Sequence, residues 1–154
     1  MSEAPLSSRE VSDRLRIQDL LTRYTTAIDG RDWALLDGVF LPDAEIDYRT
    51  SGGIRGRYPE VRAWLERALA PFAMSQHLIA NSAVELQGDR ARARTMFYNP
   101  MGARRKDGSL HLFFIGGYYE DDLVRTPAGW RIARRVEQQA WREGELPPGL
   151  VIPD

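Results

Sequence analysis

Three side chains able to carry or direct a proton stand out by type and position. The stretch LLTRYTTAIDGRDW (residues 20–33) holds Tyr24 and Asp29, and QHLIAN (76–81) holds His77, one of two histidines in the chain. A neutral imidazole takes up a proton near neutral pH. A phenol offers a hydrogen bond to a substrate oxygen, and a carboxylate can serve as base or as the partner of a cation. Each residue also has an ordinary role. His77 can be a structural or surface residue of a strand, Tyr24 a core ring on an apolar helical stripe, and Asp29 a solvated residue at a helix end. A carboxylate there faces the negative end of the macrodipole, at a cost of about 0.3–1 kcal/mol when exposed. A compensating partner such as a histidinium would account for the placement. On an ideal helix Tyr24 and Asp29 point about 140° apart, so the helix end is expected to distort if both serve one site. His111, in SLHLFF, reads as a residue of a strand face.

The rest of the inventory excludes several classes. With no cysteine there is no thiolate chemistry, disulfide or Cys-ligated zinc. Two histidines without a ligand cluster at diagnostic spacing point to no metal site. No G-x-G-x-x-G, Walker A or G-x-S-x-G motif occurs, so no cofactor is expected. A net charge of −1 gives no reason to expect nucleic acid or anionic lipid as a partner. Hydrophobic content of 43% with 28% charged residues fits a globular protein. The start, MSEAPLSSRE, lacks a basic n-region and apolar h-segment, and no apolar run reaches transmembrane length. A cytoplasmic location is the expectation.

The elements that must position these residues follow from patterning. Ser7 and Glu10 have capping-box spacing, and Val11, Ile17, Leu20, Leu21, Tyr24 and Ile28 recur at helical intervals. Gly30 reads as the left-handed stop. Asp32 caps a second helix, WALLDGVF, that Pro42 ends. AEIDYRT (44–50) alternates as a half-buried strand with Ile46 and Tyr48 on one face, and Pro59 opens a third helix. Four long strands follow, with Gly116–Gly117 marking a bend. The core spans 8–142 and a Pro-rich tail 143–154, all in a single domain 1–154. Helices followed by a meander indicate α+β: a strongly bent, mainly antiparallel sheet under three helices, forming a cone with an internal pocket.

The order of elements, with IQDLLTRYTTAIDGRDWALLDGVFLPDAEIDY, GGIRGRYPEVRAWLERAL, QHLIAN and GWRIARRVEQQAW, resembles the SnoaL-like branch of the nuclear-transport-factor-2-like superfamily over about residues 10–142. Within it, scytalone dehydratase, bile acid 7α-dehydratase and hexachlorocyclohexane dehydrochlorinase remove a proton with an aspartate–histidine pair. The aspartate ends the first helix and the histidine lies on the first long strand after the third. The resemblance places Asp29 and His77 at those positions. It implies Tyr24 and Tyr48 as pocket tyrosines and Arg135 as the arginine of the last strand, or Arg134 if that strand bulges. In such a pair the imidazole takes the proton while the carboxylate orients it and stabilises the imidazolium. Trp64, Phe72, Met96, Tyr98, Phe113 and Tyr118 sit on elements that should line the cone.

The resemblance implies a cofactor-independent lyase or isomerase acting on a small apolar cyclic molecule, steroid- or polyketide-like, with His77, Asp29 and Tyr24 catalytic. Dehydration by β-elimination fits these roles. An isomerase of the ketosteroid type would want an aspartate near the first strand, where Asp47 appears on the outward face. The competing class is a non-catalytic ligand-binding module or accessory subunit of the same fold. Homo-oligomers are usual among such proteins, with a trimer favoured over a dimer.

Overall fold

A computed structural model describes residues 5–150. Helix α1 spans Ser8–Gly30 and opens on the expected capping box: Ser7 Oγ accepts the Glu10 N–H, and the Glu10 carboxylate accepts the Ser7 N–H. Its inner stripe, from Ile17 through Leu20, Leu21, Tyr24 and Ile28, is buried, whereas Val11 lies exposed one turn before that stripe meets the sheet. The left-handed residue at the helix end is Arg31, with φ 55°, and not Gly30, which stays helical. A left-handed conformation costs an L-residue roughly 1–2 kcal/mol. The Arg31 guanidinium offsets this by donating to the carbonyls of Ile28 and Leu69 and to Ser75 Oγ.

Helix α2 is shorter than its pattern predicts, Trp33–Asp37, with Asp32 capping the Leu35 N–H. Val39 and Phe40 leave the helix to join the core, and strand β1 already runs over Phe40–Asp47. Pro42 therefore lies inside a strand. It falls where the ladder to the last strand is irregular, between Phe40 and Glu45, so its missing N–H interrupts nothing. Tyr48 follows that strand and leads into a 3-10 turn at Arg49–Ser51. Then come β2 (Arg55–Arg57), α3 (Tyr58–Leu69), β3 (Met74–Ser75), β4 (Leu78–Gln87), β5 (Arg90–Arg104), β6 (Leu110–Thr126) and β7 (Gly129–Glu143).

These strands form one seven-stranded sheet in the order β2-β1-β7-β6-β5-β3, with β4 also paired to β5. Only the β1–β7 pairing is parallel. The sheet curls where registers slip. One slip is at Gly116/Gly117, where a Cβ on Gly117 would come within 2.1 Å of the Gln138 carbonyl oxygen. Another is at Ala80/Ala83, where Asn81 takes φ 49°. Helices α1 and α3 fill the concave side against Phe40, Ile46, Phe97, Tyr119, Leu123 and Ile132. The α+β cone expected from the sequence is the fold observed.

Candidate active site

The last turn of α1, the short β3 and the residue before β4 converge at one point. Asp29 receives three donors there. His77 Nδ1 lies 2.6 Å from Oδ1, the His77 backbone N–H is 2.7 Å from Oδ2, and the Ser75 hydroxyl is 2.9 Å from Oδ1. Arg31 Nη1 in turn donates to Ser75 Oγ at 3.1 Å. Burial acts to raise the Asp29 carboxyl, but the hydrogen bonds and charge of His77, with the Ser75 hydroxyl, outweigh it and hold the group below the usual carboxylate range. An ionised Asp29 accepts only, so His77 Nδ1 carries the hydrogen of that contact and Nε2 is the ring nitrogen directed away from the carboxylate. The His77 side chain is 5% exposed, yet Nε2 has no hydrogen-bond partner among the described residues.

The expected distortion of the helix end does not occur. Tyr24 and Asp29 remain on different sides of an intact α1, and the histidine meets both. Its ring sits on the Asp29 carboxylate through Nδ1 and lies edge-on to the Tyr24 ring, with centroids 6.2 Å apart. The Tyr24 and Tyr48 hydroxyls are 3.0 Å from each other in the core, and Tyr119 packs edge-on against Tyr24. Burial pushes all three phenols up, so they act as neutral hydrogen-bonding groups.

A cavity of about 120 Å³ opens beside His77. One buried water needs roughly 10–15 Å³ of such space, so there is room for a small ligand. Tyr24, Tyr48, His77, Trp64, Phe72 and Phe113 line it, while Asp29 stands behind His77. The other expected wall residues are elsewhere. Met96, Tyr98 and Tyr118 lie on the convex face of the sheet, where Tyr118 stacks under the Arg94 guanidinium and Tyr98 against Phe114. Their neighbours Phe97, Asn99, Met101 and Tyr119 face inward instead. The alternation of RARAR carried this signal, because charges at 90, 92 and 94 fix 96 and 98 on the solvent side.

Arg135 also leaves the expected place. It is buried beneath the cavity floor, bound to Asp121 through two contacts of 2.7 Å, with Cζ 4.0 Å from the Tyr24 ring centre and 4.2 Å from that of Tyr119. Burial disfavours its charge, but the Asp121 carboxylate more than compensates and keeps it protonated. Arg134 is on the exposed face near Asp122. Asp47 pairs with Arg49 outside the cavity. His111 is half-buried and bonded to the Glu145 carbonyl, away from the cavity.

Sequence reasoning missed Ser51, Ser75, Asn99 and Glu137 among the polar groups, and Leu146 and Leu150 of the tail, which reach the cavity wall. Among the described residues no three His, Asp or Glu side chains gather as a metal-binding group.

The chain belongs to the SnoaL-like domain family, whose model matches residues 9–136. It is 46% identical over 146 residues to the uncharacterized protein Rv2910c of Mycobacterium tuberculosis, covering 93% of this chain and 96% of that one. Among solved structures it is similar to a candidate scytalone dehydratase of Novosphingobium aromaticivorans DSM 12444, with TM-score 0.80, 15% identity and coverage of 92% and 93% of the two chains. A hexachlorocyclohexane dehydrochlorinase (LinA) of type 2 superposes with TM-score 0.76 at 18% identity, covering 91% of this chain and 97% of the other. At such identities the likeness establishes the fold, which serves many chemistries.

Proposed function

We propose that this protein is a cofactor-independent lyase or isomerase that abstracts a proton from carbon in a small, largely apolar cyclic molecule of steroid or polyketide type. His77 Nε2 is the base. Asp29 fixes the tautomer and stabilises the imidazolium that forms. The Tyr24–Tyr48 hydroxyl pair holds the substrate oxygen on which negative charge develops. The observation that carries this reading is the 2.6 Å contact between His77 Nδ1 and Asp29, which leaves Nε2 at the cavity wall without a hydrogen-bond partner among the described residues. The solved dehydratase- and dehydrochlorinase-named neighbours support it by fold. A structural histidine would have both nitrogens satisfied, and a simple binding module needs no imidazole oriented by a carboxylate.

Hydrogen–deuterium exchange at the α-carbons of cyclohexanone, followed by NMR in heavy water, tests the base. Exchange above the buffer rate is expected with the native protein. Because a positioned general base contributes roughly 10²–10⁴-fold, His77→Ala should lose that enhancement. Exchange that survives His77→Ala unchanged removes the assignment, and binding without any exchange favours a ligand-binding module.

A further inference from the structure

Glu137 is a second acid in the cavity wall that the base chemistry leaves unused. It lies on β7, opposite Tyr119 of β6, and is 8% exposed. The 3-10 turn clamps it: the Thr50 hydroxyl donates to its backbone carbonyl at 2.7 Å, and the Ser51 hydroxyl donates to Oε1. Oε2 has no hydrogen-bond partner among the described residues. A buried carboxylate ordinarily has a cationic partner, and Glu137 has none in contact among the described residues. Arg135, two residues earlier on the same strand face, is bound at two points by Asp121. The groups around Glu137 are the Ser51 hydroxyl, the phenols of Tyr24, Tyr48 and Tyr119, and the His77 ring. Burial raises its carboxyl above the usual range, and the lowering effects of Ser51, His77 and Arg135 do not cancel that.

Resting on the reading of His77 as the base, we infer that Glu137 Oε2 delivers the proton that a departing hydroxyl takes with it, so that the substrate is a β-hydroxycarbonyl compound. Three polar positions then correspond to three needs of one elimination. The substrate carbonyl sits on the Tyr24–Tyr48 pair. His77 Nε2 takes the α-proton, and the C–H electron pair becomes the Cα=Cβ bond through an enolate. The Cβ–O bond breaks with its electron pair on oxygen, which accepts the Glu137 proton and leaves as water. The products are the unsaturated carbonyl compound, water, a histidinium and a Glu137 carboxylate. Transfer of the histidinium proton to Glu137 through solvent restores the resting state, with no net oxidation or reduction.

The test follows the Glu137 carboxyl by infrared spectroscopy of protein labelled with ¹³C-carboxyl glutamate, at neutral pH. The native protein should show a protonated-carboxyl band that is absent from Glu137→Gln and moves when 3-hydroxycyclohexanone binds. Ser51→Ala, which keeps the carboxyl, should shift that band without removing it. Conversion of 3-hydroxycyclohexanone to cyclohexenone should fall by about 100-fold or more in Glu137→Gln, and by much more than cyclohexanone exchange falls. Absence of the band in the native protein, a band indifferent to the hydroxyketone, or an equal fall of exchange and elimination overturns the proposal. Exchange without elimination by the native protein overturns the Glu137 role while leaving the His77 base standing. A loss of native exchange itself overturns both.

Discussion

A carboxylate on the last turn of a helix meets the negative end of the macrodipole, and Asp29 is tolerated there because three hydrogens point at it. Its carboxyl is held below its ordinary value of 3.8, so the interaction is linked to folding with a definite sign. A depressed folded value means stability that is present above the unfolded value and is lost as pH falls through the folded one. Asp29→Asn should therefore melt below the native protein at neutral pH, and the gap should close as pH drops below about 4. Thermal unfolding from pH 7 to pH 3 checks this, and a gap that is constant with pH would refute the linkage. Glu137 shows the opposite effect of environment: without a cation in contact, burial favours its acid form. Neither state is written in the residue type. Asp29 and His77 drew notice through a resemblance, whereas Glu137 hides in the charged run ARRVEQQAWRE, where strand-face charges ordinarily mean solvent.

Elements were more legible than the sides they present. The capping box, the buried stripe of α1, the Pro59 helix and the Gly116–Gly117 bend all follow from local rules that tertiary contacts do not override. The stop of α1 misled because glycine usually takes the left-handed position, and here Arg31 takes it with its guanidinium anchored across the chain. That difference is measurable. A Cβ at Gly30 meets nothing within 4 Å, so Gly30→Ala in a helical conformation should stabilise by about 0.5–1 kcal/mol in urea unfolding. A left-handed Gly30 would give destabilisation instead. Gly117→Ala should do the reverse, losing about 1–3 kcal/mol, because its Cβ would meet the Gln138 backbone at 2.1 Å. On β6 alternation holds through that bend, with Phe113, Ile115 and Tyr119 facing the cavity and Tyr118 the other side. Alternation is reliable only between irregularities: the β4–β5 ladder carries one, and the β6–β7 ladder carries two, with the extra residues Ala133 and Ala140 on β7.

On the scale of the whole molecule, the cone needs a closure that no sheet strand supplies, and the segment after β7 provides it. Gly144, at φ 86°, turns the chain back against Phe113, and His111 Nε2 is 2.8 Å from the Glu145 carbonyl. Leu146 and Leu150 then reach the cavity wall. Composition alone marked this Pro-rich segment as irregular, which residues 144–150 are, the last four lying outside the described residues, but gave no sign that two leucines would close a pocket. Excluding water strengthens every electrostatic contact at the His77–Asp29 pair. Removing the apolar ends should therefore affect ligand retention more than folding. The doubly substituted Leu146→Ala, Leu150→Ala protein is expected to bind cyclohexanone about 30-fold more weakly, since each truncated leucine loses apolar contact worth on the order of 1 kcal/mol. Its unfolding midpoint should stay close to the native one, as for most substitutions outside the core. Titration by NMR together with a thermal melt separates the two effects. Unchanged binding would mean that the tail does not close the site, and a large fall in stability would mean that it belongs to the core.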